Sequence, residues 1–484
     1  MQFTAIQRVM GLLLILFSTV MLPCLALSLW NQDGAHLAFL QAYAITLGAG
    51  LLAWLPVARV QRELRIRDGF VLVTLFWGLL ALFGGLPLMF AGVTPLLADA
   101  YFEAMSGLTT TGSSVISGLD KLPPSLNLWR GLMQFLGGMG IVVLAVAILP
   151  LLGVGGMQLY KAETPGPMKE NKLTPRIHET AKALWYIYLG LTIACFLALW
   201  AAGMTPLDAV IHAFSALSTG GFSSHDASIA HFNSALIEMI LVLFMFLGGV
   251  NFALHFMAWH RRDWRAYFRD SEFRVYLGIL ALATAFIALY LVAAGTYPDP
   301  LQALRYSVFQ VVTMATTTGY MSADFALWPG VLGALLMFIS FFSGSAGSTA
   351  GGIKVIRVLM LYKQGAAEIK RLLHPNAIVP VKLAGRSVPE RTIAAISAFF
   401  TLYLVVFALV GLVIASLGVD LVTAFSAAAA ALNNTGPGLG AVGPAANFGA
   451  LPEAAKWVLS FAMLAGRLEL FTLLVLVSPS FWRD

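Results

Sequence analysis

Threonine hydroxyls and peptide carbonyls beside a glycine can replace the water around a small cation, and this chain presents that combination four times. Apolar segments lead into Thr111-Gly112, Thr219-Gly220, Thr318-Gly319 and Thr435-Gly436, within the runs TTTGSS (109–114), STGGFS (218–223), TTTGYM (316–321) and NNTGPG (433–438). The glycines lie 108, 99 and 117 residues apart, so the unit is longer than any solenoid repeat. A single Thr-Gly pair also suits a helix cap or a turn. Four at matched positions suit a ring whose carbonyls strip water from a cation, the chemistry of a K⁺ filter.

Other chemistry finds little support. His255 and His260 are five residues apart, not the four of a helical metal pair, and His225 beside Asp226 lacks a nucleophile. The run GGIK (351–354) does not have P-loop spacing, so the chain carries no nucleotide site of its own on this reading. A membrane enzyme would need a cluster of carboxylates or histidines at one face, which the sequence does not display. The basic residues are scattered over loops, unlike a nucleic-acid footprint.

The elements that must position the four sites are membrane spans. Apolar residues make up 59% of the chain and charged residues 11%, against about 25% charged in globular proteins. Crossing about 30 Å of hydrocarbon takes about 20 apolar residues. Such runs lie near 10–30, 37–57, 70–91, 129–152, 183–203, 235–258, 275–295, 330–360, 392–416 and 453–478. Shorter apolar stretches at 97–108, 207–217, 301–315 and 420–432 each end at a Thr-Gly site. The first span follows Arg8 and imitates a signal peptide, but it is long for one and no A-x-A site closes it. Cys24 and Cys195 both fall inside spans, which argues against a disulfide framework.

Loop charge gives an orientation. With ten alternating spans and both termini cytoplasmic, 24 of the 29 basic residues fall on the inner side, leaving Lys121, Arg130, Arg305, Lys456 and Arg467. Making any short stretch a full span would ruin this sorting, so the short stretches are read as re-entrant. Asp99, Asp208 and Asp420 open three of them, and Pro298-Asp299-Pro300 opens the third in chain order, as suits helix N-termini. Each short helix then aims the partial negative charge of its C-terminus at the bilayer centre, favouring a cation there. Non-helical backbone at that depth is tolerated only around a cavity or inside protein. The fold class is therefore an all-α integral membrane protein. Two leading spans (1–68) precede four units, 69–182, 183–273, 274–391 and 392–484, each built as span, pore helix, filter strand and span.

The combination of EAMSGLTTTGSS (103–114), FSALSTGGFSSHD (214–226), TMATTTGYMSADF (313–325) and ALNNTGPGLGAVG (431–443) resembles the Trk/Ktr/HKT superfamily of K⁺ transporters. The two extra leading spans make it similar to the TrkH family of bacterial Trk potassium-uptake systems rather than to KtrB. The resemblance implies K⁺ as the transported ion and a pseudo-fourfold pore within one chain of the inner membrane. It also implies a homodimer, and a separate cytoplasmic nucleotide-binding subunit resembling TrkA docked on the basic loops. Carried over by position, it implies filter carbonyls from Thr110 and Thr111, Ser218 and Thr219, Thr317 and Thr318, and Asn434 and Thr435. Gly112, Gly220, Gly319 and Gly436 would permit the unusual backbone angles. Only Tyr320 keeps an aromatic after the glycine, unlike the stricter TVGYG of tetrameric channels.

Two further features bear on gating. SGSAGSTAGG (343–352), with Gly344, Gly347, Gly351 and Gly352, lies inside the run 330–360. It suits either a tight helix crossing through small residues or a mobile loop below the filter, which the resemblance favours as a gate tied to the cytoplasmic face by Lys354 and Arg357. Arg467 lies within the last span, where a midplane arginine costs about 2.5–3.5 kcal/mol. It reads either as a structural ion pair or, by the resemblance, as a positive charge lining the pore. Asp120, Asp226 and Asp324 follow the filters on the outer side and either draw cations to the mouth or are simply solvated. A secondary transporter coupling K⁺ to H⁺ or Na⁺ is the alternative function, although rocking transporters show two repeats with broken helices and this chain shows four.

Overall fold

The computed structural model describes residues 1–60, 64–140, 177–377, 379–383 and 386–483. Six helices within them are long and apolar enough to cross a membrane: Phe3–Asn31, His36–Val57, Arg67–Phe90, Lys182–Ala201, Ser271–Ala293 and Glu390–Ser416. Leucines in mid-helix face outward, as Leu282 and Leu289 do at 75% and 72% exposure, which suits contact with lipid. Cys24 and Cys195 are free and buried. Helices dominate, with one exception to the all-α expectation among the described residues. A two-stranded antiparallel ribbon pairs Lys382 with Ser387 and Leu383 with Arg386.

Three of the four remaining expected spans are broken among the described residues. Ala235–Gly248 and Phe252–Arg261 meet at 95°, and Glu453–Arg467 and Phe471–Val477 at 115°. The run 330–360 is two helices, Leu332–Phe341 and Val355–Leu373, joined by the small-residue loop. The break expected in the third unit alone thus recurs in the second and fourth. Its cause is local. At Gly249 and Val250 the helix gives out, and Asn251 starts a new one by accepting from the Ala253 amide at 2.8 Å. In the first unit, Pro124–Phe135 passes into a π-helical turn, Leu136–Gly140. The second half of the run 129–152 lies outside the described residues, as do Arg62, Lys161, Lys169, Lys172 and Arg176.

The four short stretches are helices: Leu97–Leu108, Pro206–Ser218, Pro300–Ala315 and Leu421–Asn433. Three of their starts are capped by side chains. Thr205, Asp299 and Asp420 accept from the amides of Asp208, Leu301 and Thr423. Each pore helix packs on the straight span before it and on the broken helix after it. Each broken helix also packs on the next unit's pore helix, and the fourth returns to the first. The units therefore form a closed ring.

Polar pairs sit at every seam. Arg130 of the first unit donates to the Ser223 carbonyl of the second at 2.9 Å. Glu238 of the second holds Arg305 of the third at 2.7 Å. Asn433 of the fourth donates to Ser340 of the third at 2.9 Å, and Lys456 of the fourth holds Asp99 of the first at 2.6 Å. Three of the five basic residues left outside the cytoplasmic set, Arg130, Arg305 and Lys456, are accordingly neutralised by Glu103, Glu238 and Asp99.

Arg130 and Glu103 are 2% and 0% exposed, and removing one partner of such a pair costs about 3–5 kcal/mol. Arg130→Met should therefore lower the thermal unfolding midpoint in detergent more than the double change Glu103→Gln with Arg130→Met, which leaves no bare charge. Equal or deeper loss in the double variant would place the stability in the other bonds of each group.

Candidate functional site

The four pore helices end in one way. A residue in the left-handed region closes each: Thr110 (φ 54°), Thr219 (φ 53°), Thr317 (φ 56°) and Asn434 (φ 52°). Its amide donates three residues back, to Gly107, Ala216, Met314 and Ala431. The next amide donates five back, to Ser106, Ser215, Thr313 and Ala430, at 2.8–2.9 Å. This is the Schellman closure, in which glycine or asparagine normally occupies the left-handed position. Threonine there is β-branched and strained, by about 1–2 kcal/mol, and such strain persists where the surroundings over-determine the backbone.

Two residues further on each chain reaches a glycine of positive φ: Gly112 (83°), Gly221 (83°), Gly319 (82°) and Gly436 (99°). These glycines interlock the ring. A Cβ on Gly112 would lie 2.2 Å from the Gly220 carbonyl oxygen, on Gly221 1.9 Å from that of Thr318, on Gly319 2.0 Å from that of Thr435, and on Gly436 2.9 Å from that of Thr111. All four line a single cavity of about 230 Å³.

The expected register is corrected in the second unit. Thr219-Gly220-Gly221 there matches Thr110-Thr111-Gly112, so Gly220 stands where the other units have threonine and Ser218 is the last residue of its helix. Matching on Thr-Gly misaligned this unit, because its sequence carries two glycines in a row. Gly220 is small for another reason. A Cβ on it would meet the Gln134 side chain at 2.4 Å, and Gln134 Nε2 donates to the Gly220 carbonyl at 2.7 Å while its Oε1 accepts from the Phe222 amide at 3.1 Å. Comparable supports hold the first and fourth strands. Glu103 accepts from the Val115 amide at 2.9 Å, Ser113 donates to the Gly436 carbonyl at 2.8 Å, and Asn434 Nδ2 donates to Thr111 Oγ1 at 2.9 Å.

The small-residue segment is a loop against the inner end of this ring. The Gly351 amide donates to Thr317 Oγ1 at 2.7 Å, and Thr349 Oγ1 donates to the Leu217 carbonyl at 2.9 Å. A Cβ on Gly351 would lie 2.1 Å from the Asn433 carbonyl oxygen, and one on Gly344 would lie 2.6 Å from that of Gly249. Gly347 and Gly352 turn at positive φ. Glu272 holds both ends of the loop, accepting from the Ala346 amide at 2.7 Å and the Ile356 amide at 3.3 Å. The expectation that Lys354 and Arg357 reach the cytoplasmic face is not met, since both are buried. Lys354 turns back to the Ala350 carbonyl, and Arg357 pairs with Glu469 and covers the Phe399 ring at 4.1 Å.

Arg467 joins the loop, the ring and the first unit. Nη1 lies 3.3 Å from Thr110 Oγ1 and 3.3 Å from the Thr349 carbonyl. Nη2 donates to the carbonyls of Gly137 and Gly138 in the π-helical turn, at 2.5 and 2.7 Å. The bend that follows it holds Glu469 and Leu470 at positive φ.

At the other mouth, Asp226 accepts from the Gly118 and Leu119 amides, both at 3.0 Å, and Asp324 caps a turn at the Ala326 amide. Asp120 Oδ1 is 2.5 Å from His225 Nδ1. That bond draws the Asp120 carboxyl below its usual range, and the Asp208 and Asp120 carboxylates raise the His225 imidazole above its own.

The family model described as TrkH, cation transport protein, matches residues 35–483. The chain belongs to the TrkH family. It is 49% identical to the Trk system potassium uptake proteins TrkH of Vibrio parahaemolyticus and Escherichia coli K12, over the whole of each chain. It is 38% identical to TrkG of Escherichia coli K12, covering 99% of this chain and 98% of that one. The crystal structure of the potassium transporter TrkH from Vibrio parahaemolyticus superposes with a TM-score of 0.90 at 47% identity, with both chains fully covered. The fold is therefore that of a TrkH-family multi-pass membrane protein.

The structure brings Thr110, Thr111, Thr219, Thr317, Thr318, Asn434 and Thr435 to the ring and sets Arg467 beside Thr110, and it adds Gln134, Glu272 and Thr349, which the sequence did not single out. Gln134 and Glu272 left a signal, being polar residues in or beside otherwise apolar runs. The two second-unit glycines can be separated experimentally. In a Gln134→Ala background the stability cost of Gly220→Ala should nearly vanish, because the clashing side chain is gone. The cost of Gly221→Ala should persist, because a backbone carbonyl and a positive φ oppose it. Thermal unfolding of the single and double variants measures both; equal rescue at the two positions would contradict a register that matches Gly221 to Gly112.

Proposed function

We propose that this TrkH-family protein takes up K⁺ across the bacterial inner membrane through the ring formed by Thr110-Thr111-Gly112, Thr219-Gly220-Gly221, Thr317-Thr318-Gly319 and Asn434-Thr435-Gly436. The observation that carries the reading is the repeated helix ending, with each unit's glycine set against its neighbour's carbonyl. Carbonyl dipoles held in such a ring replace the hydration shell of K⁺, and the four pore helices present their negative ends beneath it. The full-length relatives, Trk system potassium uptake proteins by name, agree with K⁺ as cargo. The pore is built from the units 69–182, 183–273, 274–391 and 392–484 behind two leading helices, with both termini in the cytoplasm by loop charge.

Gating falls to the loop 343–352 and Arg467. The loop's bonds to Thr317 and Leu217, with Arg467 beside Thr110, support a closed arrangement directly under the filter. Opening then requires the loop to leave the ring and Arg467 to exchange its carbonyl partners. A second copy of the chain and a cytoplasmic nucleotide-binding subunit resembling TrkA complete the assembly in this reading. Reversal potentials of purified protein in liposomes, under imposed K⁺, Na⁺ and pH gradients, test the proposal. A K⁺-selective potential independent of pH and Na⁺ supports a filter-bearing pore, and one that follows the pH or Na⁺ gradient identifies coupled transport.

Three variants probe the parts. Gly112→Ser places a side chain against the Gly220 carbonyl and should lower the K⁺/Na⁺ permeability ratio; an unchanged ratio in folded protein would count against the filter. Removing several residues of 343–352 should raise flux without altering that ratio, and unaltered flux would make the loop mere packing. Two unit charges about 6 Å apart at an effective dielectric of about 20 repel by roughly 3 kcal/mol, and about 1.4 kcal/mol is tenfold in rate. Arg467→Ala should thus raise flux per folded molecule about tenfold or more, whereas lower flux than wild type would sink the barrier role.

A further inference from the structure

Three side chains at the filter mouth form a cluster that the K⁺ pathway does not use. Asp120 comes from the loop after the first filter strand, while His225 and His231 come from the loop after the second. One ligand atom from each lies within 4.8 Å of the others. The two imidazole rings stack with centroids 3.6 Å apart and planes 5° from parallel. Asp120 Oδ1 is 2.5 Å from His225 Nδ1 and 3.9 Å from His231 Nδ1. Ligand atoms of a tetrahedral site at about 2.0–2.1 Å from the ion stand roughly 3.4 Å apart, and the observed separations bracket that value. Asp120 and His231 are 44% and 45% exposed, so both can rotate to converge.

The groups that would hold the ligands in place are present. His225 Nε2 lies 3.4 Å from Asp208 Oδ1, and Asp208 is itself fixed by Ser224 Oγ at 2.6 Å. At that distance Asp208 is an ion-pair neighbour of His225 Nε2 without hydrogen-bond geometry, and it lies on the side where a carboxylate orients a metal-binding histidine. Potassium prefers oxygen ligands, and so do Mg²⁺ and Ca²⁺. Two imidazoles and a carboxylate suit a borderline transition-metal dication.

We propose that Asp120, His225 and His231 bind a divalent transition-metal ion of the Zn²⁺ or Co²⁺ type, with water completing the coordination. His225 also lines the cavity above the filter. An ion held there links the loops of two units and places a dication beside the route to the ring.

The test uses the full-length protein in detergent, freed of any polyhistidine tag and stripped with chelator, titrated with Co²⁺ and followed by its visible absorption, then displaced with Zn²⁺. Wild type should take up a single saturable equivalent that Zn²⁺ displaces. His231→Gln and Asp120→Asn, at exposed positions that folding tolerates, should each weaken binding about tenfold or more. His374→Gln, on an exposed turn elsewhere, should bind as wild type does. Absence of saturable binding in wild type, or wild-type affinity in His231→Gln, would overturn the proposal. A Zn²⁺-dependent rise in unfolding midpoint, present in wild type and lost in His231→Gln, supports it without reference to transport.

Discussion

A backbone that leaves the helix in the middle of a membrane must have every amide accounted for, and the rest of this structure depends on how that is done. The Schellman closure satisfies the last free carbonyls of each short helix with the amides of its own closing turn. What then follows is two or three residues of extended chain whose stability comes from neighbours. Gln134, Glu103, Ser113 and Asn434 supply those bonds from behind. Strained threonines are held in the left-handed region because the helix end, the neighbouring strand and these side chains all require the same path. A set of backbone dipoles fixed in that way is preorganised, which is the property the proposed filter needs.

The seams explain why polar groups tolerate such depth. Each pair at a seam joins a broken helix to an adjacent unit, so satisfying a buried polar group and closing the ring are one event. The same logic extends to the end of the ring that faces the small-residue loop. Arg357 pairs with Glu469 at the bend of the fourth unit, Glu272 of the third unit's straight span clamps the loop, and Arg467 spans from the fourth unit to the π-helical turn of the first. The helix breaks provide the free carbonyls on which these contacts rest, such as Gly249 for the loop amide of Ser345. Irregular backbone is thus concentrated at one level of the molecule, where each irregularity satisfies another.

Much of this was legible in the residues. The straight apolar helices, the four short helices between them and the small-residue loop all follow from hydropathy, capping preference and glycine cost. The TrkH resemblance followed from the motifs. Three things were not legible. The second unit's register depends on which of two adjacent glycines has positive φ, and Gly220 is kept small by a glutamine 86 residues away. The bends in the second and fourth units fall at short local breaks, Gly249-Val250 and residues 468–470, inside runs that read as continuous spans. The positions of Lys354 and Arg357 were misjudged, since a basic residue next to a loop reads as solvated until a buried acceptor is in view.

The seam between Lys456 and Asp99 joins residues 357 apart in sequence. During synthesis the first pore helix is therefore made long before its closing partner exists. Its acidic start and its strand lack one wall until the fourth unit has been threaded into the bilayer, and until then the gap is filled by lipid, water or a chaperone. Ring closure therefore waits for the last unit to be made. A chain that stops short of the last broken helix lacks the wall that packs on the first short helix and leaves Asp99 without its lysine.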